Sequence, residues 1–130
     1  RQQWLMLPIR LCYTIYMKLG ELVRQLYISE RKLVDYALNP NNDQGKHKAV
    51  VFEQKLGFTA SNCAALRQQI YETALEAEVS IGQLDLYGTR VRTDLTILGV
   101  QGQVAVVRVG WLIPPESSEA HLTTLFVRKT

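Results

Sequence analysis

Apolar residues follow a helical spacing in the first part of the chain, up to about residue 78. Between Gly45 and Gly57 they recur every three or four positions, which predicts a short helix that Gly57 ends. Another helix is predicted before it. It begins at Ser29, because serine is a favourable N-cap residue, and it is stopped by Asn39 and Pro40, because proline cannot continue a helix. The inward positions of these two helices are Leu33, Val34, Ala37, Leu38, Ala49, Phe52 and Leu56.

A longer amphipathic helix is predicted after these two. Thr59 is a favourable N-cap residue, and the apolar spacing continues to about Glu78. The predicted inward positions of this helix are Cys63, Leu66, Ile70, Ala74 and Ala77.

The period of the pattern changes from about 3.6 to 2 after Ser80. Strands are predicted over 89–97, 103–113 and 121–128, with a short edge strand over 83–87. The second of these is apolar on both faces apart from Arg108, which predicts a central position in the sheet. The order of the elements predicts an α+β fold in which N-terminal helices pack on a four-stranded antiparallel meander.

The loop between the two longest predicted strands sets which side chains meet. A three-residue loop at 100–102, with its glycine in the left-handed conformation, pairs odd positions with odd positions. Trp111 then faces the core opposite Val91, while Asp94 lies opposite Arg108 on the other face. A two-residue loop would bury arginines or expose the tryptophan, so we expect the three-residue loop.

Length and composition indicate one domain with an ordinary core. The chain has 130 residues, of which 47% are hydrophobic and 21% charged. It begins with Arg1, and its first apolar run is interrupted by Pro8 and Arg10 and is shorter than the roughly 20 residues that span a bilayer. We therefore expect residues 1–16 to be a non-native or upstream extension, with Met17 as the start of a single domain over 17–130. A cytoplasmic location without membrane contact is expected.

Metal and cofactor chemistry have no motif in this sequence. The two cysteines, Cys12 and Cys63, form no metal-binding pattern, and Cys63 is expected to be a small core residue. The two histidines, His47 and His121, have no ligand-type spacing, and no phosphate-binding loop or nucleophile motif is present. We expect no metal and no cofactor.

The start of the helix at Gly45 carries unusual charge. Its first turn holds Lys46, His47 and Lys48, at the helix end where unpaired N–H groups favour anions over cations. A phosphate bound there would relieve the repulsion. The alternative is that these side chains simply point into water, with Asp43 offsetting part of the charge.

The outward face of the predicted sheet is rich in arginine. It displays Arg90, Arg92, Asp94, Arg108 and, from the last strand, Thr124. Arginine binds phosphate through two N–H groups and stacks on bases, so this face suits RNA. The alternative is a cross-strand ion pair between Asp94 and Arg108, with the other arginines solvated.

RNA cleavage without a metal requires a base for the 2′-OH, cations for the developing phosphorane charge and a proton donor. The predicted catalytic residues are Lys48, Arg108 and His47, with His47 as the titratable group. The predicted phosphate-binding residues are Gly45, Lys46, Arg90, Arg92 and Thr124.

A resemblance to a small bacterial domain family covers about residues 17–130. It is carried by ERKLVDYALNPNNDQGKHKAVVFEQKLGFTASNCAALR, then YGTRVRTD, QVAVVRVGWLI and LTTLFV. The family has no assigned activity, and its domains look like toxin-type modules, encoded beside small antitoxins or placed at the C-terminal ends of larger secreted effectors. In this resemblance Lys48 and Arg108 are polar positions without an obvious structural role, whereas His47 falls at a variable position.

The resemblance implies a toxin-like module, and the residues above point to RNA as its target. The order of helices and strands is also similar to the barnase/RelE-like ribonuclease toxins, as an analogy of fold alone. The other function considered is a non-enzymatic interaction module whose basic face binds an acidic protein partner such as a cognate antitoxin. An enzyme that uses the same cleft for a small molecule is a third reading.

Overall fold

The computed structural model describes residues 17–43 and 45–129, with Tyr36 as backbone only. Five strands and two α-helices account for most of it. The strands are β1 (Gln25–Tyr27), β2 (Val79–Asp85), β3 (Gly88–Leu98), β4 (Val104–Ile113) and β5 (Glu119–Val127), and the helices are α1 (Lys46–Leu56) and α2 (Cys63–Thr73). Shorter helical segments are Leu19–Glu21, Lys32–Ala37, Ala60–Asn62 and Ala74–Glu76. The expectation for residues 1–16, including Cys12, lies outside the described residues.

The sheet is mixed and has five strands in the order β1-β5-β4-β3-β2. Strands β2 to β5 form the predicted antiparallel meander with β4 in the centre, but β1 adds a parallel edge beside β5. The prediction of four antiparallel strands was therefore incomplete. Because β1 is only Gln25–Tyr27, it is too short to show an alternating pattern. The predicted edge strand 83–87 is part of a longer strand that begins at Val79.

Helix α1 has the predicted limits. Gly45 is its N-cap, and Gly57 follows its last residue in the left-handed conformation with φ of 78°. The β3–β4 loop packs against this end, since the Val100 N–H donates to the Leu56 carbonyl oxygen at 3.0 Å. A side chain at Gly57 would collide with Val100, so this corner needs glycine for both conformation and space.

The other two predicted helices are shorter than expected. In the first, the Leu38 N–H donates to the Leu33 carbonyl at 2.9 Å, an i to i+5 bond that makes Lys32–Ala37 a wider π-type turn. The predicted helix to residue 78 is interrupted after Thr73 and ends with the short segment to Glu76. Its predicted inward positions are buried as far as Ala74.

The helices cover one face of the sheet, where the inward side chains of β3, β4 and β5 form the core. Trp111 is 1% exposed, and its indole N–H donates to the Thr93 hydroxyl at 3.0 Å, so the buried polar pair is satisfied internally. The predicted register is confirmed, because Trp111 pairs with Val91 and Asp94 with Arg108. The loop glycine, Gly102, has the expected positive φ.

Candidate functional site

The face of the sheet opposite the helices carries the charged side chains, and we call it the open face. It consists of two neighbouring rows across β3, β4 and β5. One row is Arg92, Gly110 and Thr124; the other is Asp94, Arg108 and Phe126. A register shift between Gly110 and Trp111 leaves one extra residue on β5, between Leu122 and Thr124.

Arg108, at the centre of this face, is held by Asp94. The Arg108 Nε and Nη2 groups donate to the two oxygens of Asp94 at 2.9 and 3.1 Å. Arg128 donates from Nη1 to the same carboxylate at 2.9 Å. The hydrogen bond and charge of Arg108, with Arg128 beside it, hold the pKa of Asp94 below its usual range.

The predicted cross-strand ion pair is thus present, but it neither neutralises the cluster nor engages all of its hydrogen-bond donors. One carboxylate is shared by two guanidinium groups, so the three side chains carry a net positive charge. Arginine has five N–H donors, and the pair with Asp94 engages only two of those on Arg108. Asp94 therefore orients Arg108 while leaving donors that an anion can use.

A cleft of about 390 Å³ lies beside this cluster, above Gly110. A Cβ atom at Gly110 would lie 2.5 Å from the Thr124 hydroxyl oxygen and 3.3 Å from that of Thr123, so the missing side chain creates the space between them. Arg92 lines this cleft and a second hollow of about 310 Å³ that it shares with Asp94. Among the described residues Arg92 makes no ion pair and is exposed to solvent.

Arg90 has a structural partner. Its Nε donates to the Asp85 carboxylate at 3.2 Å, across the turn between β2 and β3. The Tyr87 N–H also donates to Asp85, at 2.8 Å, and this bond together with Arg90 lowers the pKa of Asp85. Arg90 therefore stabilises the turn, although it also lines the edge of the cleft.

The backbone at the start of α1 is less open to an anion than the sequence indicates. The Gly45 N–H donates to the Asn42 side-chain oxygen at 3.0 Å, and the Lys46 N–H donates to the Asn42 carbonyl at 2.8 Å. These two amides, which a phosphate would use, have partners within the chain. Gly45 is buried, whereas the Lys46 and His47 side chains are exposed.

Lys48 joins the helix start to the open face. Its ammonium lies over the Phe126 ring, 5.6 Å from the ring centre, and Phe126 is the cross-strand neighbour of Arg108. A hollow of about 290 Å³ lies there, lined by His47, Lys48, Val51, Phe126 and Val127. The structure therefore places Lys48 and His47 at a hollow beside Phe126, a residue that the sequence pattern did not single out, and Arg108 on the strand next to that ring.

Phe126 was missed because an aromatic residue in a strand usually belongs to the core. The available signal was its position between Thr124 and Arg128, both of which belong to the polar face by the alternation of β5. The extra residue in β5 lies before Thr124, so the alternation from Thr124 onward is unbroken.

Two further predictions concern metals and membranes. In the described part of the chain, no group of three or more histidine, cysteine, aspartate or glutamate side chains is placed to hold a metal ion. His121 contacts Glu119 at 3.0 Å and lies beside the Tyr27 ring. Over the same residues, no helix has the length and apolar character needed to cross a bilayer.

Comparisons with known proteins give a fold relative and a family. A search of curated proteins finds no match. A chain from the contact-dependent growth inhibition toxin - immunity protein complex from Klebsiella pneumoniae 342 superimposes with a TM-score of 0.63 and 14% sequence identity, covering 79% of this chain and 93% of that chain. At this identity the likeness shows a shared fold. A family model, the domain of unknown function DUF6883, matches residues 18–129, and the chain therefore belongs to the DUF6883 family.

Proposed function

We propose that this domain is a toxin-like module that acts on RNA as a metal-independent ribonuclease. The observation that carries the proposal is the position of Phe126 beside two cationic residues: the Lys48 ammonium, from α1, lies over its ring, and Arg108, from β4, is its cross-strand neighbour. Two cationic residues from separate elements thus adjoin one aromatic ring, and His47 lines the hollow beside that ring. This arrangement suits a substrate that carries both negative charge and flat apolar rings.

The open face supplies the groups that phosphate binding requires. Arg92 is exposed without an ion pair to any described residue, and Arg108 retains N–H donors beyond those that Asp94 engages. The Thr124 hydroxyl lies beside the space at Gly110. Guanidinium groups recognise phosphate through paired N–H donors, so a strand of RNA laid across β3 to β5 would have its backbone neutralised here.

The proposed reaction is attack of the ribose 2′-oxygen on the adjacent phosphorus. A 2′-O–P bond forms and the P–O5′ bond breaks, which leaves a 2′,3′-cyclic phosphate and a 5′-hydroxyl group. His47 takes the proton from the 2′-OH, and Lys48 and Arg108 stabilise the added charge on the phosphorane oxygens. The departing 5′-oxygen takes a proton from Lys48 or from solvent.

The toxin part of the proposal has separate support. The structural relative comes from a complex that is described as a toxin with its immunity protein, and it shares the fold over 79% of this chain. Ribonuclease activity does not follow from that likeness. It is proposed from the residues of the open face.

The test is cleavage of total bacterial RNA by the 130-residue chain and by Lys48→Ala and Arg108→Ala. We expect each variant to lower the rate about 10²- to 10³-fold, the range typical when one group that stabilises transition-state charge is removed. Lys55→Ala is a matched control, because Lys55 is an exposed lysine at the other end of α1. Product ends that carry cyclic phosphate would identify the reaction.

Equal cleavage by all of these proteins would remove Lys48 and Arg108 from the mechanism. Expression in a bacterial host gives a second reading. Growth arrest with fragmented RNA for the unaltered chain, but not for the double variant, supports a nuclease toxin.

A second candidate is an interaction module that binds an acidic protein such as a cognate antitoxin. The observation that favours it is an apolar surface on β2 and the β2–β3 turn, where Ile81, Leu84, Leu86 and Tyr87 are 59–91% exposed. A partner held through an apolar centre would remain bound at high salt. RNA held through phosphate would dissociate steeply as salt rises. Intact RNA together with salt-resistant capture of the product of a neighbouring gene would favour this second function.

A further inference from the structure

We infer that the hollow between Phe126 and the first turn of α1 binds one unpaired nucleobase of single-stranded RNA, with the Phe126 ring as the stacking surface. This inference rests on the proposed function and adds a base-binding subsite to the phosphate contacts argued above. Its evidence is the placement of one aromatic side chain outside the core.

Phe126 does not belong to the core, although both of its neighbours on β5 do. Leu125 and Val127 point inward and are 1% and 8% exposed, whereas Phe126 is only partly buried and lies on the open face in register with Arg108. A large apolar side chain is thereby placed among charged residues. Such a ring offers a face to a flat ligand without any cost to the packing of the core.

The hollow beside the ring has the size and lining for a single flat ring. Its volume of about 290 Å³ lies just below the roughly 300–1,000 Å³ of pockets that hold whole small molecules. Val51 and Val127 supply apolar walls, and His47 and Lys48 supply polar groups. The Lys48 ammonium lies over the ring at 5.6 Å from its centre, so the hollow has a positive charge at its edge for the phosphate of the bound nucleotide.

The charged residues around Phe126 favour a nucleobase over an apolar side chain of a protein as the occupant of the hollow. Arg108 is the cross-strand neighbour of Phe126, and Arg128 follows the last residue of β5, two positions after Phe126. Thr124 lies two residues the other way, roughly 6.6 Å along the strand, beside the space at Gly110. A base stacked on Phe126 thus has phosphate-binding groups of the protein on both sides of it, before and after Phe126 in the sequence. The base must be unpaired, because the bases of a duplex are already stacked and cannot reach a side chain in a hollow.

The experiment compares two labelled RNA hexamers with equal phosphate charge. One is hexaadenylate and the other is abasic, and both carry 2′-O-methyl groups so that binding is measured without cleavage. We expect the 130-residue chain to bind hexaadenylate about tenfold more tightly than the abasic strand, which corresponds to about 1.4 kcal/mol and lies within the range for one base on an aromatic side chain. Phe126→Leu should remove this preference and leave the affinity for the abasic strand unchanged.

Two further variants serve as controls. One keeps an aromatic ring at position 126, and the other removes an aromatic side chain elsewhere in the domain. Phe126→Trp keeps a ring, and it should retain the preference and show fluorescence quenching by hexaadenylate but not by the abasic strand. Tyr27→Leu removes a half-exposed aromatic side chain from β1, which pairs with the opposite end of β5, and should behave like the unaltered chain.

Equal, salt-dependent affinity of the unaltered chain for both hexamers would overturn the base subsite and leave RNA binding intact. The subsite would also be overturned if Phe126→Leu weakened binding of both hexamers equally, as a purely structural role would. Absence of binding to either hexamer would overturn the proposed RNA function together with the subsite.

Discussion

The two faces of the sheet are built from the same strands but handle polar groups differently. On the helix-covered face the buried polar side chain Thr93 is 1% exposed and accepts a hydrogen bond from the Trp111 indole N–H, so each of these two buried groups has a partner within the protein. On the open face Arg108 and Arg92 keep donors that no described residue engages. The polar groups of the core therefore stabilise the fold, whereas the open face has hydrogen-bond donors that are available to a ligand.

The largest expected difference between the two faces is in the free energy of unfolding that is lost when a side chain is removed. Trp111→Ala should lower the free energy of unfolding by about 3–5 kcal/mol, because it removes a large side chain from a packed site and leaves a cavity. Arg92→Ala, in the same sheet but exposed, should change it by less than about 0.5 kcal/mol. Urea unfolding monitored by circular dichroism measures both. Similar losses in the two variants would contradict the division of the faces.

A smaller effect is expected from the polar pair in the core. Thr93→Val keeps the shape of the side chain but leaves the Trp111 N–H without its acceptor, which should cost about 1–3 kcal/mol. Thr93→Ser keeps the hydroxyl, so its loss should come only from the missing methyl group. If valine were tolerated better than serine in urea unfolding, the hydrogen bond would not be a source of stability.

A still smaller effect on stability than at Thr93, with a distinct pH dependence, is expected at Asp94. Its pKa is lowered in the folded state by Arg108 and Arg128, so its ion pairs stabilise the protein above the unfolded-state pKa of about 3.9. That contribution is lost as the pH falls through the lower pKa of the folded state. Asp94→Asn should therefore cost up to about 1 kcal/mol at pH 7 and progressively less as the pH falls below the unfolded-state pKa. Unfolding by urea at several pH values measures the difference, and a cost that is independent of pH would contradict it.

The same Asp94→Asn variant also tests the open face as a binding surface. Removal of the carboxylate releases two arginines from their shared partner, so RNA affinity at low salt should rise. Glu72→Gln is the control, because it removes an exposed carboxylate on α2 and changes the net charge by the same amount as Asp94→Asn. Equal gains in the two variants would mean that only net charge matters.

Several features of the fold could be predicted from short stretches of sequence. The limits of α1 follow from a glycine at each end and apolar residues at helical spacing, which are local properties. The pairing of Asp94 with Arg108 follows from a three-residue loop and strict alternation, because one turn propagates its register along both strands. The positions of Arg92, Arg108 and Thr124 on the open face were predictable for the same reason.

The sequence by itself determined the α+β class, the meander with its register, and the separation of an apolar face from a cationic one, since periodicity and turn chemistry act over a few residues. Only the tertiary structure decided that Gln25–Tyr27 pairs with β5, because contacts between segments distant in the chain leave no local pattern. The same holds for the site, where Lys48 meets Phe126 through the packing of a helix against β5. Its chemistry was visible in the sequence, but its geometry depends on long-range packing that no single segment encodes.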